Sequence, residues 1–320
     1  MKYKPDYPPK QEREKTPEEK IDDLMRSMAV EINAKIIKLT GHSLVEEKNN
    51  RIRPNFFSKK EGGPYVKTRK VGEVGGEDSS VMTIQEDNDF VRMKISGFSG
   101  AHEESEQKRL GVVGETKEDR EQQVIDLWRE KKENSKETQV EKIITFLLYK
   151  FLRERGFLVV RTAEYDDYEH SVDTLIIDEN TGEVVGSFDE VLDSFNPEDV
   201  GVKSSSKWQK ILEKNVEGRG AKIKYGLTFE VSEKGKKLVR RELHNVPVFF
   251  LSLSSKDFEE LLTEINSDIN AAFGDAEIEI FNKLIESLGQ QADGLLKENP
   301  PTIIKEKIDK LQKTLIKIRQ

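Results

Sequence analysis

Apolar residues recur along this chain with two different periods, and the change from one to the other divides it. Early on they fall at Ile21, Leu24, Met25, Met28, Ile32 and Ile36, the three- and four-residue spacing that lines one face of a helix. Thr16-Pro17-Glu18-Glu19 marks its start, with Thr as N-cap, Pro at the first helical position and a Glu placed to reach back to the cap. The pattern runs to about Leu39, and Gly41 is placed to end it. A second helical stretch opens at Thr116 and carries Val124, Ile125, Leu127 and Trp128 to about Glu133, where Asn134-Ser135 interrupts it. The third, from Lys136, has the widest stripe: Val140, Ile143, Ile144, Leu147, Leu148, Phe151 and Leu152, closed by Gly156. A stripe that wide predicts heavy packing on a sheet.

Beyond Gly156 the helical period gives way to short β-rich runs. Phe157–Arg161 is the first. Ser171–Leu192 reads as two strands joined at Asn180-Thr181-Gly182, with Val172 and Leu175–Ile177 going out and Val184, Val185, Phe188, Val191 and Leu192 returning. Ser206 caps a helix over Lys207–Val216, and Gly218-Arg219-Gly220 ends it. Lys222–Val231 and Leu238–Leu243 read as strands about a Lys234-Gly235-Lys236 turn, and Val246–Leu253, the most apolar run, as a central strand. A helix capped by Ser254 or Ser255 carries Phe258, Leu261, Leu262 and Ile265. Two helices close the chain. The first holds Ile278, Phe281, Leu284, Ile285 and Leu288 and ends at Gly289. The second, after Pro300-Pro301, holds Ile304, Ile308, Leu311, Leu315 and Ile318, a heptad-like seam that packs on the helix before it.

Residues 1–135 therefore read as N-terminal helices and poorly ordered loops, 136–268 as an α/β core, and 269–320 as a C-terminal helical pair. Met1–Thr16, rich in Lys, Glu and Pro, reads as a flexible tail. Signals are weakest over His42–Thr116, where Gly62-Gly63-Pro64 and Gly75-Gly76 break the chain and Ser80–Ile84 with Phe90–Ile95 reads as a hairpin. Arg51–Phe57 mixes bases with aromatics, as a loop anchored by its Phe residues or a nucleic-acid contact.

Composition narrows the function. Charged residues make up 36% of the 320 and mean hydropathy is −0.69, which fits long solvated helices or poorly ordered segments beside a smaller core. The absence of cysteine excludes disulfides, thiolate zinc sites and Cys nucleophiles. There is no signal-peptide pattern and no long apolar run, so the expectation is a soluble, cytoplasmic protein with no membrane partner. A net charge of −8 weighs against a general nucleic-acid binder, but its distribution is uneven. Arg161–Val200 holds 13 Asp and Glu against one Arg, and Lys203–Arg241 holds 12 Lys and Arg against 4 Glu. Such neighbouring blocks are either two solvated surfaces that attract each other or a metal site beside a phosphate-binding face.

The hairpin sharpens the second possibility. Asp173 lies near the start of its first strand and Asp189 near the far end of its second, so pairing about Asn180–Gly182 brings the two carboxylates together. From Lys136 the order helix, strand, strand, strand, helix, strand resembles the PD-(D/E)xK, or restriction-endonuclease-like, nuclease superfamily. The resemblance covers roughly 130 of the 320 residues. It implies an α/β fold with an α-β-β-β-α-β core and a central mixed sheet, here flanked by N- and C-terminal helices. It further implies Mg²⁺ or Mn²⁺ held by Asp173, Asp189 and the helical Glu141, for cleavage of DNA or RNA. The family's lysine belongs two positions after the third-strand acid, where this chain has Val191. Lys207, foremost, or Lys210, Lys222 or Lys224 then supplies the catalytic ammonium, and Lys203, Lys207, Lys210, Lys214, Lys222 and Lys224 meet phosphates.

The alternative is a non-catalytic structural or interaction module on a degenerate nuclease fold. Its terminal helices would then bind a protein partner or a second copy, and Asp173 and Asp189 would be exposed acids with no ligand. Other features add little. His42, His102, His170 and His244 have no metal-ligand spacing, although His170 lies three residues from Asp173. The glycine-rich pieces lack a P-loop's context, and the acidic run Glu164–Glu169 lacks EF-hand spacing. Trp208 is either a buried helix anchor or a base-stacking residue.

Overall fold

The computed structural model describes residues 13, 15–57, 80–192, 206–232, 235–266 and 268–319. Its helices are α1 (Pro17–Thr40), α2 (Ser80–Ser99), α3 (Glu104–Arg109), α4 (Lys117–Glu133), α5 (Lys136–Leu152), α6 (Glu164–His170), α7 (Ser206–Leu212), α8 (Ser255–Glu264), α9 (Asp275–Lys297) and α10 (Thr302–Arg319). Its strands are β1 (Phe157–Arg161), β2 (Thr174–Asp178), β3 (Val184–Leu192), β4 (Ala221–Ile223), β5 (Leu227–Ser232), β6 (Gly235–Arg240), β7 (Leu243–Val246) and β8 (Val248–Leu253). No described helix is long and apolar enough to cross a membrane.

Four strands form a mixed sheet in the order β1-β2-β3-β8, with β2 antiparallel to both neighbours and β3 parallel to β8. The β2–β3 hairpin closes where Asn180-Thr181-Gly182 predicts it: Asp178 caps the turn through Asn180 N–H at 2.7 Å, and Gly182 takes a φ of 72° that favours glycine. The register places Thr174 opposite both Arg161 on β1 and Phe188 on β3. Helix α5 lies over this face with its apolar stripe buried, and the Thr145 and Thr174 hydroxyls meet at 3.0 Å.

Both outer strands are covered at named positions, which removes the exposed rim of N–H and C=O groups that invites pairing with another chain. Along β8, the Asn215 side-chain amide bonds both the N–H and the carbonyl of Val248, each at 2.8 Å. Two residues on, Gln291 of α9 does the same for Phe250, at 2.9 and 2.8 Å. Along β1, Arg161 N–H donates to the Asn50 carbonyl and Ile52 N–H donates to the Arg161 carbonyl. Residues 50–52 thus continue the sheet as a short fifth edge.

One apolar core runs without a break from Ile21 of α1 to Ile318 of α10 and includes every strand of the mixed sheet. Trp208 is buried in it. A methyl group on Gly294 of α9 would come within 2.6 Å of the Trp208 ring, so glycine there lets α7 and α9 approach. A smaller cluster of Val91, Ile95, Ala101, Val124 and Ile125 joins α2 to α4.

The structure corrects several expectations. Residues 80–95 form part of helix α2, not a hairpin. The buried positions Ile84, Asp87, Val91 and Ile95 are spaced three, four and four, and the apolar pattern is broken because one inward residue is an aspartate. The acidic run Glu164–His170 is helix α6. Lys222–Val231 is split into β4 and β5 by a turn at Lys224-Tyr225, followed by Gly226, where any Cβ would lie 2.6 Å from the Arg241 carbonyl oxygen. Helix α9 continues through Gly289 to Lys297, because burial of Gln291, Ala292 and Leu295 outweighs the small helical cost of glycine. Most of the expected N-terminal tail (residues 1–12 and 14), residues 58–79 with their glycine-rich pieces, and residues 193–205, Lys203 included, lie outside the described residues.

Candidate active site

Strand alternation and one helix face assemble the polar centre. Arg161, Thr174 and Phe188 stand opposite one another on β1, β2 and β3, and Glu190 follows Phe188 by two, so all turn to the α5 side. There α5 presents Glu141 and Thr145, one turn apart, and the Arg161 guanidinium donates to Glu141. Asp173, just before β2, accepts the Glu190 N–H on its Oδ2 at 2.9 Å. Glu190 itself is 5% exposed, and among the described residues neither of its oxygens has a hydrogen-bond partner of good geometry. Arg161 is wholly buried, with Nε and Nη1 likewise without partners.

Charge is unevenly balanced here. Burial, then the neighbouring Asp167, Glu141 and Glu190, push the Asp173 carboxyl well above the usual carboxylate range. Burial likewise raises Glu190 well up, relieved in part by the Thr174 hydroxyl and reinforced by Glu141. Glu141 is raised by burial, against the pull of Arg161. Asp167 goes the other way. Burial opposes its charge, but Arg51, Lys132 and Arg161, with a hydrogen bond from the Asp173 carboxyl, hold it below its ordinary value. Arg51 sits 2.7 Å from Asp167. The centre therefore sets an arginine-paired Asp167, whose charged form is favoured, beside two carboxyls whose charged form is disfavoured.

Of the sequence-derived site residues, Asp173 and Glu141 fall in this centre. Asp189 points to the opposite face from Glu190 and meets Lys214, whose ammonium is 3.4 Å from its Oδ2 and 3.0 Å from the Ser171 carbonyl. Lys207 lies on α7, but its side chain is outside the described part of that helix. Lys210 is exposed on α7. Lys222 pairs with Glu242 at 2.6 Å, and Lys224 pairs with Asp87 at 2.6 Å over the Tyr165 ring. Both are thus engaged elsewhere. His170 faces Asp166 at 3.9 Å, with burial lowering its affinity for a proton.

Four members of the centre lie outside the sequence-derived set: Glu190, Arg161, Arg51 and Asp167. Glu190 had a usable signal, since it shares a strand face with Phe188 two residues earlier. Arg51 and Asp167 had none, because they meet across 116 residues. Both line a cleft of about 990 Å³ between α2, α4, α6 and the 46–54 segment, which also receives Trp128, Lys132 and Tyr168. Among the described residues no three His, Asp or Glu side chains gather closely enough to hold a metal ion on protein ligands alone. No protein-family model, curated protein or solved structure matches this chain.

Proposed function

We propose that the chain is a metal-dependent phosphodiesterase acting on nucleic acid, with Asp173 and Glu190 as its metal-binding pair. Glu190 takes the place first expected of Asp189. The carrying observation is the buried pair itself: two carboxyls at the β2–β3 junction, each with its proton affinity raised by burial and by the other acids, and Glu190 relieved only in part by the Thr174 hydroxyl. A set of only two carboxylates suits Mg²⁺, which binds to one or two carboxylates and completes its shell with waters and substrate phosphate oxygens. Mn²⁺ fits the same oxygen donors. The bound ion would supply an activated water and neutralise charge on the leaving oxygen.

The chain's own residues do the rest. Arg161 holds Glu141 in place beside the pair, and Arg51 keeps Asp167 ionised at the cleft wall. Neither third-strand acid is followed two positions on by lysine, since those positions are Val191 and Leu192. Lys214, at the Asp173–Asp189 end of the hairpin, is the lysine placed to meet a phosphate.

A second reading is favoured by one observation. Arg161 and Arg51 bring two positive charges into the centre, as in a fold that has replaced its metal with internal ion pairs and serves as an interaction scaffold. Cleavage of plasmid, single-stranded DNA and RNA with Mg²⁺ or Mn²⁺ separates the two. The enzyme loses about a hundredfold or more of its rate in Asp173→Ala and Glu190→Gln, with Asp189→Asn less affected. No cutting, with no Mn²⁺ bound by calorimetry, selects the scaffold.

A further inference from the structure

The cleft beside the acid pair carries a surface that the reaction above does not use. Phe98, near the end of α2, is 65% exposed. Its ring lies nearly parallel to Trp128 of α4, at 6.4 Å and 16°, and to Tyr168 of α6, at 6.2 Å and 26°. Three rings from three helices thus form one offset tile. Lys132, one turn beyond Trp128, holds its ammonium 4.7 Å from the Tyr168 centroid and 5.7 Å from that of Trp128, and donates to the Tyr168 hydroxyl at 3.3 Å. Trp128, Lys132 and Tyr168 all line the cleft, and Tyr168 adjoins Asp167, which pairs with Arg51; Arg51 also donates to the Thr162 carbonyl, and Thr162 N–H donates to the Asp173 carbonyl. The tile is therefore continuous with the acid centre.

Every nucleobase offers a flat π-face that stacks on such a ring, whatever its sequence. In a duplex those faces are already stacked on neighbouring bases, so only an unpaired base can take the tile. The ammonium resting on the rings is the matching element for a phosphate. We infer that the Phe98–Trp128–Tyr168 tile, with Lys132, is a stacking site for an unpaired base, and that the substrate is a single-stranded nucleic acid. This rests on the phosphodiesterase reading, which it deepens by naming the substrate class.

The test is binding without cleavage. A fluorescein-labelled single strand of about 20 nucleotides, long enough to span a groove of this kind, and its blunt duplex are titrated in EDTA against the full chain and against Phe98→Ala and Phe98→Trp. Phe98 is mostly exposed, so both variants fold. The expected result is a single strand bound at least about tenfold tighter than the duplex, weakened about tenfold by Phe98→Ala and recovered by Phe98→Trp. Quenching of Trp128 fluorescence should accompany binding, because Trp208 is buried. Equal affinity for duplex, or no change in Phe98→Ala, overturns the site. So does sedimentation showing a dimer that Phe98→Ala dissociates while oligonucleotide affinity stays the same, since the tile would then join two copies. Metal-dependent cutting of plasmid that Phe98→Ala leaves intact would sink the stacking site and spare the phosphodiesterase. Single-strand binding that depends on Phe98, with no cutting by any preparation, would do the reverse.

Discussion

Glu190 sets the energetics of the centre because it is buried near three other acids and relieved only in part by the Thr174 hydroxyl. Its folded proton affinity is raised, so between its unfolded and folded values the native state binds more protons than the unfolded chain. Stability is then greatest at low pH and falls as pH rises through the folded value. Glu190→Gln keeps the shape and removes the charge. Thermal denaturation at about pH 7.5 should show the variant more stable by about 1–3 kcal/mol, the usual penalty of a buried unsatisfied group, with the gap closing near about pH 4. Saturating Mg²⁺ should raise the wild-type midpoint and leave the variant nearly unmoved, with proton release on binding. A variant less stable than wild type under the same conditions would mean that the charge is neutralised by a partner. Asp173 was legible in the sequence because a short hairpin turn fixes which residues meet. The choice between Asp189 and Glu190 turns on a single-residue difference in strand face. Only the side on which α5 lies decides it, and no local pattern encodes that.

Local chemistry spells out most elements. Thr16 with Glu19 closes a capping box, Ser135 and Ser254 cap α5 and α8, and the hairpin turn forms at Asn180–Gly182. The pattern misleads where a polar residue faces inward. Asp87 in α2 accepts hydrogen bonds from the Tyr225 hydroxyl and Lys224, both at 2.6 Å, from partners 138 and 137 residues away. Composition ranks such a position as surface, and only the distant partner makes it interior. Gln291 is a similar case. It reads as a solvated position on α9, yet it serves as a one-residue strand along the β8 edge. Gln291→Leu keeps the bulk and deprives the buried Phe250 N–H and C=O of the Gln291 amide, at about 1–3 kcal/mol for the lost pair of bonds. Urea denaturation should show that loss, and amide exchange should quicken at Phe250 before it does on β2. Unchanged exchange at Phe250 would mean that water substitutes for the amide.

At the scale of the molecule, α2 is tied to the main body through a polar joint as well as through Ile84 and Tyr165, which pack on the main core. Asp166 of α6 is fully buried and accepts N–H bonds from Lys224 and Tyr225 at 2.7 and 3.0 Å, while Asp87 of α2 grips the same two residues by their side chains. Burial raises Asp166 to about 7, against those two N–H bonds and with Asp87 adding to the rise. Its unfolded value is near 3.8, so as pH climbs from about 4 to about 7 the folded state loses an advantage on the order of a few kcal/mol. Asp173 and Glu190 act in the same direction. Opposing them, Asp167, Glu133 and Asp257 are held low, and their stabilisation disappears as pH falls through their folded values. The two groups together place the stability maximum near the ordinary carboxylate range, since above it only the first set still separates folded from unfolded and below it only the second does. Calorimetric midpoints from about pH 3 to about pH 9 should therefore peak near about pH 4 and decline above it. Asp166→Asn should lower the whole curve, since one backbone N–H then faces an amide nitrogen, and should flatten its descent between about pH 5 and about pH 8. A wild-type curve level across that interval would show that the joint relaxes to admit water when Asp166 ionises. In that case the α2–α4 cluster, and the cleft it walls, would open with rising pH while the main core stayed folded.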